Sequence, residues 1–334
     1  MTTPAPKAAS GAAKPAARPR KPRRQTPEQA ARAWARRLER TRPGLVDFVL
    51  ERLGEQYGRP EWALRLDPVS ELVLTILTQN TADVNAERAF ESLRIRFPSP
   101  DSVPIAHHRR SAPGEPRDGP TRGAAADATS ADAPPPGAAR DPGDSPSDSP
   151  TALAPTTPDG WGGRGLAPGR PPDWAAMEAA PVEELMEVIR HGGLAYQKAP
   201  RIQAALRTIR EERGDYDLAF LAGMEPRAAR DWLTRIPGIG KKTASIVLLF
   251  CFGQPLFPID THVERVSKRI GLLPANVALD LAHELALDLF RAPDMYPAHV
   301  LLITHGREIC HARSPKHDIC PITDRCRFVN PKAP

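Results

Sequence analysis

Apolar residues recur at helical spacing over most of the chain, and two long stretches lose that period altogether. Leu45, Phe48, Val49 and Leu53 fall on one face of a helix, and Ile202, Leu206 and Ile209 on one face of another. Met177, Leu185, Met186 and Ile189 read as a single helix, and Leu218 and Leu221 mark a short one. The same spacing predicts helices over 225–236, 241–252, 261–271, 275–291 and 297–310. Thr26-Pro27-Glu28 opens the first helix, with Thr as cap and Pro at the first helical position, and Pro43-Gly44 interrupts it. Ser70 reads as the cap of an apolar run ending at Leu77, and Asp83 as the cap of a helix carrying Val84, Ala89, Phe90 and Leu93. No segment alternates as a strand does, so the pattern predicts an all-α protein.

The aperiodic stretches are residues 1–25 and 101–172. The chain holds 39 proline and 23 glycine residues in 334 positions, well above the roughly 12% of average usage. Chains this poor in apolar groups cannot bury enough surface to offset the entropy of ordering. Residues 1–25 therefore read as a disordered basic arm, either a solubilising tail or a salt-sensitive tether to DNA. Residues 101–172 read as a disordered Pro/Ala/Gly-rich insertion. The formal charge of +6 suits an anionic partner, nucleic acid or an anionic membrane surface, although a basic tail on a neutral domain gives the same sum. No apolar run reaches the roughly 18 residues of a membrane span. The N-terminus also lacks the apolar core of a secretory signal. These features lead to an expectation of an intracellular, cytoplasmic chain with no membrane partner, associated with the nucleoid if its partner is DNA. Nothing signals oligomerisation, so a monomer is expected.

The sharpest local pattern is LTRIPGIGKKTASIVLLF. Two helices meet at a tight turn spanning residues 236–240. Gly238 and Gly240 permit positive φ and close backbone approach. The second helix begins just beyond, so its unpaired N–H groups favour an anion such as a phosphate, and Lys241 adds charge there. Such a hairpin grips DNA without reading its sequence, and it also serves proteins that only bind DNA. Lys242 follows at the start of the second helix, and Asp260 lies eighteen positions later in PIDTH. Alone, the lysine reads as a phosphate contact and the aspartate as a helix cap. Together they fit nucleophilic chemistry. An attacking amine must be neutral, a condition that desolvation or nearby positive charge favours. A carboxylate can stabilise positive charge that develops on a sugar and can exchange protons with the amine.

IPGIGKKTA and PIDTH resemble the LPGVGRKTA and VDTH of the endonuclease III family of DNA glycosylases. The resemblance covers roughly residues 66–100 and 173–334, and more weakly 26–65. It implies a two-lobed helix-hairpin-helix DNA glycosylase fold. One lobe would be a six-helix lobe from residues 66–100 and 173–272. The other would be a metal-cluster lobe built from both ends, residues 26–65 and 273–334. It further implies that Lys242 attacks C1′ of a damaged nucleotide in double-stranded DNA, with Asp260 assisting, and that a Schiff base then allows strand cleavage at the abasic site. The adenine-specific relatives typically carry serine at the lysine position, so Lys242 favours the bifunctional glycosylase and lyase. An oxidised pyrimidine is the expected target. A G·T or G·U mismatch glycosylase and a non-catalytic hairpin DNA-binding protein are the alternatives.

Family members fill the gap left by an extruded base with a glutamine after an apolar helix and a leucine in a Gly-Leu turn. These positions match Gln79 in LTILTQNTADVN and Leu194 in HGGLAYQKAPRI. Helix-end capping and loop packing are the plainer roles for the two. Tyr196 could line the pocket or belong to the core.

Of the four cysteines, Cys251 continues an apolar helical run and reads as core, whereas Cys310, Cys320 and Cys326 crowd near the C-terminus with ligand-like spacing. The family carries a [4Fe–4S] cluster on C-x6-C-x2-C-x5-C. Here the positions read Cys310, His317, Cys320 and Cys326, preceded by His305-Gly306-Arg307, which matches the family's HGR. The resemblance implies a cluster with Cys3His ligation. A tetrahedral zinc site and loss of the metal remain open beside it. The family's cluster loop also sets basic residues near DNA, a role open here to Arg313, Lys316, Arg325 and Arg327.

Overall fold

The computed structural model describes residues 25–100 and 169–333, and these form twelve α-helices with short 3-10 turns between them. The basic arm and nearly all of the insertion lie outside the described residues. The neck of the insertion does not: Pro98 and Pro172 form an antiparallel bridge, and Asp173 N–H donates to Phe97 O at 2.8 Å. The helices on either side of the insertion therefore continue into one another across a closed neck.

Helix α1 (Pro27–Thr41) starts as its sequence dictates. Thr26 Oγ1 accepts from Gln29 N–H at 3.3 Å, and the Gln29 side chain accepts from Thr26 N–H at 3.1 Å. Helix α2 (Leu45–Tyr57) follows Gly44, whose φ of 65° makes the corner. Helix α3 (Pro68–Thr78) is capped by Asp67 and not by Ser70. The Asp67 carboxylate accepts from both Val69 and Ser70 N–H, Pro68 takes the first helical position, and Ser70 is buried inside the helix. Helix α4 (Asp83–Arg96) begins at Asp83 but is not capped by it, because that carboxylate is turned towards Arg307.

The run expected to be one helix through Met177 and Ile189 is two, α5 (Trp174–Ala179) and α6 (Val182–Val188). Pro181 falls between them and has no N–H with which to continue the first. Helices α7 (Ala195–Arg213), α8 (Pro226–Thr234), α9 (Lys241–Phe252), α10 (Thr261–Ile270), α11 (Leu279–Leu289) and α12 (Met295–Glu308) complete the set.

Two apolar cores divide the molecule. The first gathers Leu72, Ile76, Leu77 and Phe90 with Met177, Leu185, Ile202, Leu206 and Leu233. The second joins Leu45, Val49 and Leu53 near the N-terminus to Leu285, Ala298, Leu301 and Leu302. Both ends of the described chain thus contribute to one core. Val263, Val266 and Ile270 pack in this second core, so α10 lies with it, whereas the sequence-based division carried the first lobe to residue 272. Helix α9 is the wall between the cores. Ala244, Val247 and Leu248 face the first, while Ile246, Leu249 and Phe250 face the second. Every residue of α9 from Thr243 to Phe252 is buried. Truncating Leu248 to alanine would cost about 2–5 kcal/mol, and the helix that carries Lys242 is correspondingly rigid.

Candidate active site and cysteine loop

Helix α9 starts at the hairpin turn. Gly238 has a φ of 83°, and Ile239 N–H closes the turn onto Ile236 O at 3.0 Å. A Cβ on Gly238 would lie 2.5 Å from Arg201 Cδ, so glycine meets both a conformational and a steric demand here. Gly240 supplies no side-chain cap to α9 and has open space where a Cβ would stand. The amides of the first turn are therefore presented to an incoming anion. Lys241 is partly neutralised, lying 3.9 Å from buried Glu284 and 3.7 Å from Asp280.

Lys242 is half-buried, and among the described residues its ammonium makes no hydrogen bond or ion pair. Asp260, also half-buried, caps α10 by accepting from Val263 N–H at 2.7 Å. The capping role and the proposed chemical role thus meet in one carboxylate, whose other oxygen is free of the cap. The two residues share a neighbour the sequence did not single out. His299, on α12, is 1% exposed, and its Nδ1 donates to Pro258 O at 3.1 Å. Burial lowers its pKa to about 4. The charge of Asp260 opposes that shift, and those of Lys242 and Arg307 reinforce it. The charges of both candidate groups thus bear on one buried imidazole, which packs against Phe250 and Phe257 of the second core, and no ion pair joins the two groups among the described residues.

Gln79 ends α3, and its Oε1 accepts from Arg201 Nη1. Leu194 precedes α7 and is 37% exposed, with a φ of 51°. Beside Gln79, Asn80 has a φ of 54°. Left-handed backbone costs a non-glycine residue of order 1–3 kcal/mol and concentrates at functional sites. Leu194 thus combines partial exposure with strained backbone. Tyr196 is 60% exposed, which removes the core role weighed for it. Cys251 is buried in the first core as expected.

Cys310, His317, Cys320 and Cys326 line one small cavity together with Arg269, Ile270, His305 and Ile309. All three cysteines are free thiols. Arg269 Nη1 donates to Cys310 Sγ at 3.3 Å, and His305 Nε2 is 3.7 Å from Cys320 Sγ. Burial, with Cys326 and Cys310 nearby, pushes the Cys320 thiol up to about 11. Thiols crowded in this way become thiolates readily only when a metal supplies the compensating charge. Among the described residues no three His, Cys, Asp or Glu donors converge on the position of a single ion. Donors spread around a cavity suit a multi-iron group, whose irons each take one ligand, better than a mononuclear tetrahedral zinc. Of the basic residues considered near DNA, Arg325 is engaged in the fold, donating to Pro43 O at 2.9 Å and stacking on Phe48. Arg313, Lys316 and Arg327 are exposed.

Residues 165–290 match the HhH-GPD superfamily base excision DNA repair protein, and residues 310–326 match the iron–sulfur binding domain of endonuclease III. The second match begins at Cys310 and ends at Cys326, so all four candidate ligands lie within it. Endonuclease III of Sulfolobus acidocaldarius is 38% identical over 152 residues, covering 46% of this chain and 66% of the relative. Endonuclease III of Bacillus subtilis is 37% identical over 158 residues, covering 47% and 67%. The chain thus spans about two thirds of the length of these relatives. Among solved structures, a non-covalent endonuclease III–DNA complex superposes with a TM-score of 0.55 at 20% identity, covering 85% of this chain and 94% of that one. That likeness concerns the fold. Among the described residues no helix is long and apolar enough to cross a membrane.

Proposed function

The chain belongs to the endonuclease III family, and from that premise we propose that it is a base-excision-repair DNA glycosylase with abasic-site lyase activity, acting on an oxidised pyrimidine in duplex DNA. The observation that carries this reading is the unpaired amine of Lys242 at the head of α9, whose charge, like that of Asp260, bears on the buried ring of His299. The N–H groups after Gly240 hold a phosphate of the damaged strand, and the rigid α9 fixes the amine relative to it. Gln79 and Leu194 occupy the gap left in the stack when the nucleotide turns out. Lys242 Nζ attacks C1′ as the bond from C1′ to the base breaks, and the electron pair leaves with the base, which takes up a proton. Asp260 stabilises the cationic character of the sugar and accepts a proton from the new secondary amine. Ring opening gives the Schiff base. Loss of a C2′ proton then expels the 3′ phosphate, and water releases the sugar and restores the amine.

Cys310, His317, Cys320 and Cys326 would hold a [4Fe–4S] cluster. Once bound, it would supply a covalent cross-link that fixes the loop carrying exposed Arg313 and Lys316 beside the DNA. A DNA substrate of this kind fits an enzyme that works inside the cell.

The deciding experiment is base release and strand cleavage on matched duplexes carrying thymine glycol, G·T or G·U. Release from the thymine glycol duplex with accompanying strand cleavage is expected. Preferential action on either mismatch would replace the oxidised-pyrimidine reading, and action on none would remove the glycosylase reading.

A further inference from the structure

Lys198 is 1% exposed, lies within α7 and makes no ion pair among the described residues. All three of its ammonium hydrogens are engaged. Nζ donates to Leu77 O at 2.6 Å, to Gly192 O at 2.7 Å and to Thr81 Oγ1 at 2.7 Å. Thr81 Oγ1 in turn donates to Gly192 O at 2.5 Å. Leu77 stands two residues before Gln79, and Gly192 two residues before Leu194. One buried cation thus joins the two turns that carry the candidate gap-filling residues, at equivalent points on each.

The surroundings fit a built junction. The carbonyl of Leu77 belongs to the last turn of α3, which has no amide partner ahead of it and lies at the negative end of the helix dipole. A Cβ on Gly192 would lie 3.2 Å from Ala89 Cβ, and one on Gly193 3.2 Å from Thr81 Oγ1. A side chain at either glycine would press on its neighbour, and at Gly193, whose φ is 63°, it would also strain the backbone. Both turns also contain strained backbone, at Asn80 and Leu194. Three residues after Lys198 on the same helix, Arg201 donates to Gln79 Oε1 and lies over Gly238 of the hairpin. Burying the ammonium is itself costly, and burial lowers its pKa to about 8 with Arg201 adding repulsion. Bulk packing alone would be served more cheaply by an apolar side chain of the same length.

We propose that Lys198 is a positioning residue whose buried ammonium fixes the spacing between the Gln79 and Leu194 turns, and so controls extrusion of the target nucleotide while leaving bond cleavage to Lys242. The proposal rests on the reading of Gln79 and Leu194 as the gap-filling pair. A misplacement of about 1 Å can cost on the order of 10²-fold in rate, and the loss falls on whichever step needs the displaced group.

The test uses the full chain with its metal content intact and compares two reactions. One is base release from a thymine glycol duplex, where a base pair must be opened. The other is cleavage of a ready-made abasic site in the same duplex, where none need be. Lys198→Met should slow base release about tenfold or more, with abasic cleavage within about threefold of the parent. Thr81→Val removes the hydroxyl from the junction with little change of shape and should act in the same direction, more weakly. It also decides the matter if Lys198→Met does not fold. Equal losses in both reactions would reduce Lys198 to a fold residue, and unchanged base release in Thr81→Val and Lys198→Met would overturn the proposal. Leu194→Ala separates the layers. If it leaves base release untouched, the gap-filling assignment falls. If it slows release while the two junction variants do not, only the Lys198 proposal falls.

Discussion

Arg307 on α12 donates to the carboxylate of Asp83, the first residue of α4, at 2.6 Å. The pair links helices of different cores, and each side chain is only about a fifth exposed, at 21% and 19%. A screened surface pair contributes about 0–1 kcal/mol, and breaking a buried one costs about 3–5. This half-buried link should fall between them. Asp83→Asn and Arg307→Met should each lower stability by about 1–3 kcal/mol. The double variant should cost clearly less than the sum, as read by denaturant unfolding. Additive losses would show that the link does not couple the cores.

Buried histidines, His283 and His299 among them, make the fold sensitive to acid. Burial pushes His283 and His299 from 6.5 to about 4 in the folded chain. The unfolded chain therefore takes up protons first as pH falls. The stabilisation is complete above pH 6.5 and is lost on the way down to about 4, at up to about 1.4 kcal/mol per pH unit for each ring. Thermal melts across that interval should show a steep fall for the parent and a shallower one for His283→Leu and His299→Leu. Parallel profiles would mean that these rings are not the titrating groups.

Much of this architecture was legible from short-range rules, and the exceptions share a cause. The capping box at Thr26, the corner at Gly44 and the start of α9 after Gly240 depend on neighbouring residues alone, and all are found as expected. Asp67-Pro68 obeys the same rule that found Thr26-Pro27, but the apolar run beginning after Ser70 drew the boundary too late. Asp83 looked like a cap because its partner, Arg307, is 224 positions away. The same holds for His299, which comes under the charges of Lys242 and Asp260 only through the fold. Lys198 was invisible because two of its partners are backbone carbonyls, which no residue pattern marks. The lobe boundary shifted because the apolar stripe of α10, Val263, Val266 and Ile270, does not say which core it faces.

The hairpin should tolerate no side chain at Gly238. Its φ of 83° and the overlying Arg201 both oppose a Cβ. Gly238→Ala should destabilise the protein by about 1–2 kcal/mol and weaken binding to an uncleavable abasic-site duplex several-fold. Titration by fluorescence anisotropy, beside a melting curve, gives both quantities. Parent-like affinity would show that the turn does not hold the DNA backbone.

The metal loop makes a prediction about composition. Purified protein should contain iron and acid-labile sulfide in equal amounts, with broad visible absorbance, and Cys320→Ala should lose both. His317→Cys should retain iron, and His317→Ala should retain less than the parent. Stoichiometric zinc without sulfide would contradict the cluster. Iron content unaffected by His317→Ala would remove the imidazole from the ligand set.

The most direct measurement is borohydride trapping on a duplex with a single abasic site. The parent should form a stable protein–DNA adduct whose cross-linked peptide carries Lys242. Asp260→Asn should form it more slowly, and Lys242→Ala should form none while still binding the duplex. Undiminished trapping in Lys242→Ala would contradict the account at its centre.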